Sequence, residues 1–264
     1  MGSATTAALT ALRATLAAQK SVDRAVAEDL FSSARTIDSS TQLRGALGDA
    51  SADPAAKLAL TRAVFSGKVS HAAEAVLESA VEQRWSDPAD LPGGLEELGI
   101  RAIASSSDAT ERIDSELFEV ARAVSSDAQL ELALRTKLGA SDQKAALVDR
   151  LLGGKASKGT HAIVRQLVQR PAGRSIREAL RQAAEIVADQ AGAALATVVT
   201  AAPLDDEQLE RLRASLARRY GRDLVINTVI EPALIGGVRV QVGDDVIDSS
   251  IAARLTDVRQ KLAG

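Results

Sequence analysis

Two stretches decide the fold: EDLFSSARTIDSSTQLRGAL, from Glu28 to Leu47, and SELFEVARAVSSDAQLELAL, from Ser115 to Leu134. They are 87 residues apart, and the match runs on without a gap: Lys57, Ala59 and Leu60 recur as Lys144, Ala146 and Leu147, and Gly67, Lys68 and Ser70 as Gly154, Lys155 and Ser157. Of the 55 positions from Leu30 to Arg84, 17 are identical in the second copy. Several of these are not alanines, so an Ala-rich composition does not account for them, and a duplication does. Within each copy the apolar residues recur at helical spacing, as in Ile113, Leu117, Val120, Ala121 and Val124. Asp108 followed by Glu111 has the form of a capping box. Gly153 and Gly154 stop one helix, Ser157 starts the next, which ends before Pro171, and a last helix from Ser175 to about Gln190 turns Ile176, Leu180, Ala183 and Val187 one way.

The segment from Pro88 to Ser105, with Leu91, Leu95, Leu98 and Ile103, fits two places. By register with Ile176 and Leu180 it closes the first copy; by its position before Asp108 it opens the second. A helix shared between two bundles satisfies both. No Gly-, Ser- or Pro-rich linker separates the copies, so one semi-rigid body is expected.

After Gly192 the apolar period falls from helical to two. AALATVVTAAPL and LVINTVI, rich in Val and Thr, read as strands. DDEQLERLRASLARRYG reads as a helix with acids in its first turn and arginines in its last. VRVQV is a third strand. In the final stretch, VGDDVIDSS, Gly243, Asp244 and Asp245 have turn chemistry. Asp248 or Ser249 is placed to cap a last helix through Leu262. A Gly-Asp-Asp metal site of the polymerase kind is excluded: the neighbouring strands carry neither a further carboxylate nor a basic channel. The order expected is β-α-β-β-α. The fold class is mostly α, two duplicated helical bundles followed by a small α/β region, with domains at 1–87, 88–190 and 191–264.

Composition narrows the chemistry. The 264 residues carry a net charge of −3 with mixed signs along the chain, and aromatics are only 2%. A basic arm or a base-stacking platform for nucleic acid is therefore not expected. There is no cysteine and only His71 and His161, which removes thiolate and histidine-rich metal sites and leaves a His-based triad little to draw on. LLGGKAS and FSGKVS lack the first glycine and the hydroxyl of a phosphate loop, with Asp149 and Arg62 where that glycine belongs. Trp85 reads as packing between helices. No apolar run reaches the length of a membrane span, and the N-terminus has no signal-peptide layout. A soluble, cytoplasmic protein without cofactor or metal is expected.

The C-terminal part resembles a known family. TAAPL, LIGG and VGDDVIDSS, in that order and spacing, are similar to the delta-subunit (oligomycin-sensitivity-conferring protein) family of F-type ATP synthases. The resemblance covers about residues 88–264, with Ser249 where the family usually has Gly. The first 87 residues add a second bundle, as in the extended deltas of actinobacteria. The resemblance implies a non-catalytic stator subunit on the cytoplasmic face of the cell membrane, present in one copy and reaching the membrane only through its complex. It implies that a helical bundle grips the N-terminal helix of an alpha subunit between its first and fifth helices, here at Leu95, Leu98, Ile103, Ile163 and Leu167. The C-terminal region would meet the b-subunit helices through apolar residues, here Leu234, Ile235, Ile247, Ile251 and Leu255. The alternative is a stand-alone helical adaptor that binds an amphipathic helix in a groove.

Overall fold

The computed structural model describes residues 2–108, 111–135, 141–234, 236–243 and 245–249. The chain divides into two compact units, residues 1–187 and 188–264. Both copies of the repeat lie in the first unit, and the break falls just before the boundary expected at 191.

The first unit holds α1 (Ser3–Ala17), α2 (Arg24–Ser39), α3 (Thr41–Gly48), α4 (Pro54–Phe65), α5 (His71–Glu82), α6 (Asp90–Ser106), α7 (Ile113–Ser126), α8 (Ala128–Arg135), α9 (Ser141–Leu152), α10 (Lys158–Gln169) and most of α11 (Ile176–Gln190). Shifted by 87 residues, α3, α4 and α5 land on α8, α9 and α10 with the same first and last positions, and α2 lands on α7 with the same last position. α6 starts 87 residues after α1 and 86 before α11, so one helix closes the first copy and opens the second. It packs against α1, α2, α3 and α5 and also against α10. α7 begins at Ile113 with Arg112 at its cap position, later than the capping box expected at Asp108 and Glu111.

The duplicated punctuation has duplicated physics. Gly67 and Gly154 end their helices at φ values of 73° and 72°, where a side chain would be strained. Three residues on, the Ser70 and Ser157 hydroxyls accept from the Ala73 and Thr160 amides and cap the next helix. The amide of each capping serine in turn donates across the bundle, Ser70 to Asp29 at 2.7 Å and Ser157 to Glu116 at 2.9 Å. Burial pushes the Glu116 carboxyl up, but donation from Thr160 and from the Ser157 hydroxyl and amide outweighs it, so its pKa lies below the usual value. The stability this carboxylate contributes is therefore complete above its unfolded pKa and is lost as pH falls through the lower folded one. Ser157→Ala removes the cap and one donor to Glu116, an expected loss of about 1–2 kcal/mol at neutral pH by urea unfolding. The loss should shrink below the range in which Glu116 titrates.

The second unit is a four-stranded sheet in the order β2-β1-β3-β4, with β1 (Ala194–Thr200) and β2 (Leu224–Ile230) parallel and joined through α12 (Asp206–Tyr220). β3 (Val238–Val242) runs antiparallel to β1, and β4 (Asp245–Asp248) antiparallel to β3. Ala194, Ala196, Val198, Leu224 and Val240 form a core with Leu216 of α12. An acidic first turn, a capping box from Asp205 and Gln208, and left-handed Gly221 delimit α12. β4 corrects the sequence reading. Asp245, expected in a turn, is the first residue of a strand and accepts from the Tyr220 hydroxyl at 2.5 Å. Asp248, expected as a helix cap, is the last, and its carboxylate pairs with Arg239 at 3.1 Å across the ladder. The pairing of Val242 with Asp245 leaves two residues for the connection, and Gly243 at φ 58° suits a tight hairpin. Asp244 and the helix expected to run through Leu262 lie outside the described residues.

Candidate functional site

The shared helix α6 carries two adjacent buried glutamates that point to different copies. Glu97 accepts from Arg13 of α1 at 2.6 Å and from Arg101 one turn away at 2.9 Å. Glu96 is 2% exposed and accepts from Gln166 of α10 at 3.1 Å, Arg170 at 3.2 Å and Arg174 at 2.5 Å. Arg170 also pairs with Asp38 at the end of α2, at 3.2 Å. One carboxylate thus ties α6 to the first copy, and its neighbour ties α6 to the second, which Arg170 also joins to α2 through Asp38. Sequence reading missed this network. Its signal was a Glu-Glu pair inside an apolar helical segment, where buried charge requires partners.

The five residues expected to grip a partner helix are all in the core: Leu95, Leu98 and Ile163 are 0% exposed, and Ile103 and Leu167 are 1%. The reason is α2, which packs on both α6 and α10 while these two pack on each other. The same seam of the first copy lies between α1 and α5. There Ala8, Leu16, Val76 and Ala80 are buried, but Ala4, Ala11 and Thr15 of α1 and Ala72, Ala75 and Ser79 of α5 are half-buried. The Thr15 and Ser79 hydroxyls are 3.2 Å apart, so the two rows adjoin. Trp85 is core, its Nε1 donating to the Ala80 carbonyl at 2.9 Å and its ring lying where a side chain at Gly94 would be.

The copies have also exchanged charge. Arg62 pairs with Glu78 at 2.6 Å in the first. At the equivalent positions of the second, Asp149 pairs with Arg165 at 3.4 Å and with His161 at 3.1 Å. In the second unit, Leu234 is 9% exposed and Ile247 is half-buried against the core, while Ile235, Ile251 and Leu255 lie outside the described residues. Val246 on edge strand β4 and Ile230 on edge strand β2 are 54% and 52% exposed. No helix among the described residues is long and apolar enough to cross a membrane.

These groups hold helices to helices and leave apolar seams and sheet edges as the surfaces on offer, which defines a docking scaffold. A model of the family described as ATP synthase delta (OSCP) subunit matches residues 100–262, starting inside α6. The ATP synthase subunit delta of Leifsonia xyli is 52% identical over the whole of both chains. That of Kineococcus radiotolerans is 39% identical over 90% of this chain and 87% of its own. That of Streptomyces griseus is 35% identical over the whole of both. The chain belongs to the ATP synthase delta (OSCP) subunit family and is a peripheral-stalk component of the ATP synthase, a structural part of that complex.

Proposed function

We propose that the chain is the non-catalytic link which holds the catalytic head of the synthase against rotor torque, on the cytoplasmic face of the membrane. In this reading its first unit takes the N-terminal helix of an alpha subunit and its second takes the b-subunit helices. Leu95, Leu98, Ile103, Ile163 and Leu167 line the corresponding seam of the second copy, which α2 already covers. The surface that receives the alpha helix is the equivalent seam of the first copy. One observation carries this choice: the α1–α5 seam keeps two adjoining half-buried rows of small side chains, whereas five of the six equivalent positions in the α6–α10 seam are buried, with Ala162 alone half-buried. Small side chains let two helix axes approach closely. The b helices are met by the apolar edge around Val246 and Ile247, together with Leu234; Ile235, Ile251 and Leu255, also expected to meet them, lie outside the described residues.

Ala75→Arg fills the α1–α5 seam from a half-buried position, so the fold survives. Its affinity for an alpha N-terminal peptide should fall about tenfold or more, a change of about 1.4 kcal/mol, while binding of b is kept. Deletion of residues 250–264 should do the reverse. Full alpha affinity in Ala75→Arg, by titration calorimetry, would move the grip away from α1 and α5.

A further inference from the structure

The face along which the two copies meet holds a cleft of about 510 Å³ between α2 and α10, beside the Gly153–Gly154 stop of α9. Its lining includes Arg24 and Arg35 from α2 and Lys158, His161 and Arg165 from α10, with Glu28 as its one acid among the described residues. Four permanent cations against one carboxylate leave a clear positive excess. The copies show how particular this is. The positions of α5 equivalent to His161, Arg165 and Gln169 are Glu74, Glu78 and Glu82, an acidic stripe. The duplicated helix has therefore reversed its charge on the face that lines the cleft.

Three of the cations are incompletely balanced, one of them Lys158, which has no carboxylate in ion-pair contact among the described residues. Arg24 has Glu28 at 3.3 Å, and His161 has Asp149 at 3.1 Å. Arg165 reaches the same Asp149 only at 3.4 Å. Arg35 is half-buried and donates to the amide oxygen of Gln166, with no carboxylate in ion-pair contact among the described residues. Gln166 is itself 1% exposed and anchored on Glu96, so the Arg35 guanidinium is held in place from below. Burial and then the charge of Arg165 lower its pKa, while Asp142 and Glu28 only partly offset them. A fixed, half-buried guanidinium beside a second one is an unfavourable arrangement until an anion with several oxygens lies between them.

We propose that this cleft binds a phosphate-bearing anion, with Arg35 and Arg165 as its principal donors and Arg24, Lys158 and His161 around it. Phosphate fits better than a lone carboxylate because it carries more charge and presents oxygens to two forks at once. The volume falls within the range of small-molecule sites and exceeds one phosphate, so it also admits pyrophosphate or the phosphates of a nucleotide.

The test is titration calorimetry of the full chain with inorganic phosphate, pyrophosphate and ATP. Pyrophosphate should bind, more weakly as salt rises. Arg35→Gln and Arg165→Gln should each weaken it by about tenfold or more. Arg62→Gln, on the acidic face of the first copy, should leave it within about twofold. ATP binding at least about tenfold tighter than pyrophosphate identifies a nucleotide as the source; equal affinities mean that the phosphates alone are recognised. Arg165 is exposed, so its variant stays folded and keeps the test decisive where Arg35→Gln loses structure. Three results overturn the proposal: no binding of any of the three at millimolar concentration, wild-type affinity in both arginine variants, or binding of a Glu-rich peptide and of none of the phosphates.

Discussion

Glu96→Ala should destabilise the first unit by about 3–5 kcal/mol, the largest loss expected from any single charged residue named here. Glu96 is 2% exposed and Arg170, which it accepts from, is 6% exposed. Removing the carboxylate leaves Arg170 buried with Asp38 beside it, and takes away the two oxygens that accept from Gln166 and Arg174. The cost is chiefly that of an uncompensated buried cation, not the net value of the pair. Glu96→Gln keeps the shape and one acceptor, so its loss should be smaller. Because Glu96 joins α6 to α10, the effect should be localised. Hydrogen exchange in α10 should rise more than in α1, which is held through Glu97 and Arg13. Urea unfolding with exchange readout measures both, and equal protection in α10 of wild type and Glu96→Ala would show that the network does not join the copies.

Most of the first unit was legible because it is written twice. A shift of 87 residues relates its helices, the positive-φ glycines at 67 and 154, and the serine caps at 70 and 157. Each of these is local chemistry, set by residues within a turn of one another. What was not legible is what packs across the copies. Within one copy, Leu95, Leu98, Ile103, Ile163 and Leu167 have the spacing of an apolar seam, and nothing in that spacing says that a helix from the other copy covers it. The Glu96 network was hidden for the same reason: its partners are 70 to 78 positions away. β4 failed locally. The aspartates in VGDDVID are poor strand formers, and that preference is offset by the cross-strand pairing of Asp248 with Arg239 and by the hydroxyl that Tyr220, at the end of α12, donates to Asp245. The exchange of Arg62–Glu78 for Asp149–Arg165 was readable in principle, since two positions 16 apart reverse sign together between the copies.

Leu167→Asp should leave the first unit without a stable native state. Leu167 is 1% exposed on α10, a helix that packs on α2, α6, α7 and α9. Truncating a buried leucine alone costs about 2–5 kcal/mol. The aspartate adds either an unpaired charge in an apolar site or the cost of protonating it, several kcal/mol more. The sum approaches the whole stability of a typical domain, about 5–15 kcal/mol. Loss of alpha binding by this variant would therefore report unfolding and not a lost contact. The same change at Leu132, on α8 of the same copy and 64% exposed, separates the two. It should alter stability by no more than about 0.5 kcal/mol and leave alpha binding unchanged. Circular dichroism melts of both variants, beside the binding of Ala75→Arg, then distinguish core from surface. A cooperative wild-type melt in Leu167→Asp would mean that the α6–α10 seam opens to water, which would return those five residues to the surface that receives the partner helix.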